Sequence, residues 1–77
     1  MIDEQHLQRD MLRAHEQHDL KALPPLYLDA ARLHESQGDI DAACFFYPHA
    51  YVYALDCGDR QVAETAHSKL SSYGRDR

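Results

Sequence analysis

The sequence is short of positive charge. Eight lysine and arginine residues stand against thirteen aspartate and glutamate residues, which gives a net charge of −5 with histidine neutral. The basic cluster at the end of the chain is only the pair Arg75 and Arg77, which Asp76 separates. A nucleic-acid-binding surface needs a basic patch that neutralises phosphates. We therefore expect no nucleic-acid partner.

Long apolar runs are also lacking. No stretch approaches the ~20 apolar residues that a membrane-spanning helix requires. The first residues, MIDEQHLQRD, are polar and acidic, unlike the apolar segment of a signal peptide. The sequence thus predicts a soluble, cytoplasmic protein with no membrane partner.

Cysteine is scarce, and the two cysteines, Cys44 and Cys57, fall in one helical segment. At about 1.5 Å per residue they lie roughly 20 Å apart along such a helix. A disulfide needs Cα atoms within about 7 Å, so these two residues cannot pair with each other. Free, buried thiols are typical of a reducing compartment.

Alternation of apolar and polar residues, which is typical of a half-buried β-strand, does not occur between turn signals. Apolar residues instead recur at helical spacing, and glycine, proline and aspartate punctuate the segments. We predict an all-α single domain, residues 1–77, built from four antiparallel helices. Their predicted bounds are 3–18, with Asp3 as the N-cap, then 24–37, 40–57 and 60–73.

The segment from Asp39 to Gly58 is apolar on almost every side. A helix that is apolar all round has to be covered all round, and a chain of 77 residues offers few neighbours. Pro48 lies in the middle, where we predict a kink rather than a break because apolar residues continue on both sides. We expect a second copy of the chain, or another protein, to cover Phe45, Tyr51 and Val52.

The chain also repeats weakly at a period of twenty residues. Aspartates that could cap helices coincide at Asp19, Asp39 and Asp59, and Gly38 aligns with Gly58. Apolar residues coincide at several further positions of the period. Each unit therefore looks like a cap, an apolar helix and a stop, which indicates short antiparallel helices stacked in sequence order.

Residues 24–57 carry a more specific pattern over 34 residues, with aromatic and small residues on either side of a turn glycine. Its members are Tyr27, Gly38, Ile40, Ala43, Tyr47 and Ala50. The segment resembles a tetratricopeptide repeat, which has that period. The sequence departs from the repeat at Ala31, His34, Pro48 and Leu55. The alternative is a generic four-helix bundle.

The resemblance implies a right-handed helical stack that binds a protein or peptide on its concave surface. The implied concave contacts on the first helix of the motif are Leu28, Arg32 and Glu35. Members that clamp a carboxylate use several cationic and amide side chains there, and only Arg32 is present. The resemblance therefore favours a mixed apolar and polar contact in an adaptor or a chaperone-like binder.

Six histidines raise the alternative of a metal- or pH-responsive regulator. His15 and His18 are three residues apart and are predicted to share a helix face, which suits metal ligation. Only Glu16 lies nearby in sequence to complete a ligand set. No glycine-rich phosphate loop, nucleophile triad or paired carboxylates in an apolar setting occur. We therefore predict a protein that is not an enzyme and needs no cofactor.

Overall fold

A computed structural model describes residues 4–75. Within that range the chain forms four helices and no strand, which confirms the predicted all-α class. The helices are α1 (Glu4–Glu16), α2 (Leu23–Ser36), α3 (Ile40–Cys57) and α4 (Arg60–Ser72). The bounds of α3 are those predicted, and the others differ by one or two residues at their ends. The predicted cap at Asp3 lies outside the described residues.

Side-chain hydrogen bonds cap the N-termini of α3 and α4. The Ala42 backbone N–H donates to Asp39 Oδ1 at 3.1 Å, and the Val62 N–H donates to Asp59 Oδ1 at 3.2 Å. Gly58 ends α3 with a φ of 79°, a left-handed conformation that glycine adopts without a steric cost. These Gly-Asp junctions account for two units of the twenty-residue period.

The third aspartate of that period has a different role. The helix α2 has Ala22 at its N-cap position and no side-chain hydrogen bond there, so Asp19 is not its cap. Instead, the first turn of α2 contains two prolines. Proline lacks the backbone N–H, so these positions leave no donor that needs a cap. The expectation that every unit starts with an aspartate cap is therefore wrong for α2.

The core forms where α3 packs against α2 on one side and α4 on the other. Alanines at the α2–α3 contact have no exposed surface, so the two backbones approach closely, and Tyr47 fills the space between helices with 0% exposure. The core cluster consists of Leu28, Ala31, Ala43, Tyr47, Ala50, Ala54, Val62, Ala63, Ala66 and Leu70.

The first helix is attached to this core by a narrow strip. It packs against α2 and buries only Leu7 and Ala14. Short helices of this kind gain most of their stability from tertiary packing, so α1 depends on α2 for its structure.

Three further features of the helices concern Pro48, the two cysteines and the lack of a membrane-spanning segment in the described part of the chain. The helix α3 is continuous through Pro48, so the proline does not end it. Both cysteines are free thiols. None of the helices among residues 4–75 combines the length and the apolar character needed to span a bilayer.

Candidate protein-docking surface

All exposed side chains of α3 lie on one face, which we call the outer face of α3. Its members are Asp41, Phe45, Val52, Leu55 and Asp56. At 100° per residue these positions fall within an arc of about 100°. Along the chain, the half-buried Pro48 and His49 lie between Phe45 and Val52.

The apolar members of the outer face are large and more than half exposed. Phe45 is 60% exposed, Val52 53% and Leu55 57%. The other residues of α3 are buried or half-buried, mainly by packing against α2 and α4, so the large exposed apolar side chains of α3 all lie in this one strip. A continuous apolar strip on a helix indicates an interaction site better than isolated exposed residues do.

His49 connects this face to the interior. Its Nδ1 lies 2.8 Å from the Phe45 carbonyl oxygen, which can only accept, so Nδ1 carries the proton that is donated. Its ring stacks on Tyr27 of α2 with centroids 5.6 Å apart and lies 4.8 Å from the Phe45 ring. These contacts hold the His49 ring in place, and the Phe45 ring packs against it.

The three residues predicted for self-association are not all on this face. Phe45 and Val52 are, but Tyr51 is half-buried and packs against the core cluster, with its ring 5.8 Å from that of His67. Tyr51 therefore belongs to the α3–α4 contact. Leu55 takes its place on the outer face, and its spacing of three residues from Val52 was the signal that could have identified it.

The predicted concave contacts separate into three environments. Leu28 is only 6% exposed and belongs to the core cluster, so its prediction as a binding residue is wrong. The other members of that cluster come from α2, α3 and α4. Arg32 is exposed, and its role as a concave contact stays a prediction. Burial raises the pKa of the neighbouring Asp29, and the Arg32 charge partly opposes that rise.

Glu35 is occupied by the protein's own side chains. Its carboxylate accepts hydrogen bonds from the Tyr47 hydroxyl at 3.0 Å, from Lys69 Nζ at 3.4 Å and from the Tyr73 hydroxyl. These bonds, led by that from Tyr73, hold the pKa of Glu35 below its usual value even though burial opposes the shift. Glu35 thus joins α2, α3 and the end of α4 and has little capacity left for a partner.

The two tyrosines of this network respond in the opposite sense. Burial raises the pKa of Tyr47, and its hydrogen bond to Glu35 raises that pKa further. The hydrogen bond to Glu35 is the main reason why the pKa of Tyr73 is also raised. This network is not evident from the sequence, because Glu35 is separated from Tyr47, Lys69 and Tyr73 by 12, 34 and 38 residues.

The histidines of the alternative hypothesis do not share a helix face. The helix α1 ends at Glu16, and His18 follows in a turn with a φ of 53°. His15 Nε2 lies 3.0 Å from the Tyr27 hydroxyl, and the His15 ring also contacts that of Tyr53. No group of three or more His, Cys, Asp or Glu side chains among residues 4–75 is placed to hold a metal ion.

A cleft of about 440 Å³ lies beside the outer face, where α3 turns into α4. Leu55 and Tyr51 line its α3 side, and Arg60, Glu64 and His67 line its α4 side. Because Leu55 belongs to both surfaces, the cleft extends the apolar strip toward α4.

Comparisons with protein-family models, with curated proteins and with solved structures find no match to this chain. Its function is therefore inferred from its exposed surface and from the charges on that surface. Among the described residues, the outer face of α3 carries three of the large apolar side chains that are more than half exposed, namely Phe45, Val52 and Leu55.

Proposed function

We propose that this protein is a small, non-enzymatic interaction module that binds another protein through the outer face of α3. The observation that carries the proposal is the strip formed by Phe45, Val52 and Leu55. Covering such side chains contributes roughly 25 cal/mol per Å² of apolar surface removed from water. The strip therefore provides a driving force for association that the rest of the chain does not use.

We also propose that the helices stack as in a tetratricopeptide repeat. The helix α2 packs against both α3 and α4, and α1 packs against α2, which supports stacking in sequence order. Ala43 and Ala50 have no exposed surface and Tyr47 fills the gap beside them, as the resemblance requires. In such a stack the exposed Arg32 is the remaining candidate for a concave contact.

The same strip is where a second copy of the chain would dock. A symmetric dimer would place the outer face of one protomer against that of the other. Analytical ultracentrifugation over a range of concentrations measures this directly. Self-association through the outer face predicts a dimer that Val52→Asp weakens, since a charge would then be buried at the contact.

The test for a different partner is affinity capture from cell lysate with three baits. Wild type and Leu20→Asp are expected to retain a common protein that Val52→Asp loses. Leu20 is a matched control because it is 57% exposed, against 53% for Val52, and lies between α1 and α2. Circular dichroism verifies that all three baits are folded. Retention of the same partner by a folded Val52→Asp bait would contradict the proposal.

A further inference from the structure

We propose that the outer face of α3 binds an amphipathic α-helix of another protein, one with an apolar stripe and a lysine or arginine near each end. This inference rests on the proposed function and adds the chemistry of the partner. It is carried by the charges at the two ends of the apolar strip.

The helix α3 contains no lysine or arginine, and its only charged residues are Asp41 and Asp56. Both are exposed and both lie on the outer face, one in the first turn and one in the last. They are about 22 Å apart along the helix axis. The apolar strip thus has a carboxylate at each end, and a complementary ligand has an apolar middle and cationic ends.

Asp56 is unfavourably placed for the free protein. It lies in the last turn of α3, where the partial negative charge of the helix C-terminus repels a carboxylate. Within residues 4–75 it has no hydrogen-bond or ion-pair partner, and Asp59, not Asp56, caps α4. Helix stability therefore does not explain why a carboxylate stands at this position. Because Asp56 lies at the end of an exposed apolar strip, we infer that it pairs with a cation on the partner.

Asp41 is placed more favourably but is also accessible. It lies in the first turn, and its Oδ1 accepts a hydrogen bond from Arg75 at 2.9 Å. Its side chain is nevertheless 89% exposed. An ion pair this exposed contributes little, so a partner's cation can share or replace it.

The same charges disfavour the other occupants of this face. A second copy aligned along α3 brings carboxylate against carboxylate, whether the two helices run parallel or antiparallel. An anionic membrane surface is repelled by both aspartates. The strip is also narrow and about four turns long between the aspartates, which fits the side of one helix.

The probes are two synthetic helical peptides with the same leucine stripe, one with lysine and one with glutamate in its terminal turns. Fluorescence anisotropy at low salt measures the binding of each peptide to the protein. We expect the lysine peptide to bind about tenfold more tightly, an advantage that decreases at high salt because exposed charges are screened.

Matched variants distinguish the effect of the two aspartates on peptide binding from the effect of the protein's net charge. Asp41→Asn with Asp56→Asn is expected to remove most of the preference for lysine. Asp10→Asn with Glu16→Gln changes the net charge equally on exposed positions of α1 and is expected to retain it. Val52→Asp should weaken the binding of both peptides, whereas Leu20→Asp should weaken neither.

The outcomes distinguish this inference from the proposed function. If both peptides bind equally and Val52→Asp abolishes this binding, the docking face is supported but its charge selectivity is overturned. A preference for lysine that both double variants reduce equally would show a net-charge effect and also overturn the inference. A stable dimer that Val52→Asp dissolves would make a second copy the occupant. Failure of both peptides to bind, in a protein that also remains monomeric, would overturn the docking face itself.

Discussion

At the scale of single residues, the two aspartates of α3 differ in their energetic role although they share one face. Asp41 is at the positive end of the helix dipole and pairs with Arg75, whereas Asp56 is at the negative end with no partner in residues 4–75. Opposite ends of a helix give carboxylates opposite effects on stability. If Asp56 binds a partner's cation as we propose, it is a position where binding and stability of the free protein compete.

This difference predicts opposite effects of the same substitution. Asp56→Asn should raise the free energy of unfolding by about 0.3–1 kcal/mol, because a repelled charge is removed. Asp41→Asn should lower it by a similar amount. Urea denaturation followed by circular dichroism measures both, and each variant is the control for the other. A destabilised Asp56→Asn variant would show that the carboxylate has a structural role in the free protein.

At the scale of the element, local capping determines where the last two helices begin. The Gly-Asp sequence places a left-handed residue at the end of one helix and a side-chain acceptor at the start of the next. Asp59 fulfils this function for α4, while Asp19, its equivalent in the twenty-residue period, does not cap α2.

The capping difference predicts that Asp59→Ala lowers the free energy of unfolding by about 0.5–2 kcal/mol, since the Val62 N–H loses its acceptor. Asp19→Ala is expected to cost less than about 0.5 kcal/mol, as is usual for an exposed surface position. Thermal denaturation of the two variants, each compared with wild type, checks this. Equal losses in both variants would indicate that the period defines three equivalent caps after all.

At the scale of the whole molecule, the Glu35 network joins three helices through one carboxylate. Its pKa is lowered in the folded state, so it stabilises the fold above its usual pKa of 4.5. That stability is lost as the pH falls through the lowered folded-state value. Acid therefore weakens the contact between α2, α3 and the end of α4.

Glu35→Gln should remove about 1–3 kcal/mol of stability at pH 7, because charge-assisted hydrogen bonds from Tyr47, Tyr73 and Lys69 are weakened. The same variant should lose less stability than wild type as the pH falls below about 4.5, since the group that titrates is absent. Melting temperatures at pH 7 and pH 3.5 test both statements. Glu64→Gln, an exposed position on α4, is the control and should follow wild type.

The amino-acid sequence alone specifies four helices among residues 4–75, the bounds of α3 and the excess of apolar surface on α3. These features depend on local signals, namely capping aspartates, helix-ending glycines and helical periodicity, and they do not depend on which elements are neighbours. The end of α1 was less determined, because its polar last turn continues the helical pattern until His18 adopts a left-handed backbone conformation.

By contrast, the packing of the helices against one another sets which apolar residues are covered and which polar groups are paired. Leu28 and Phe45 are both apolar residues at helical positions, yet Leu28 is buried in the core cluster and Phe45 is exposed to solvent. Likewise, Glu35 obtains its three donors from residues at least 12 positions away. Coverage depends on the directions in which neighbouring helices approach, and those directions follow from packing between residues that are distant in sequence.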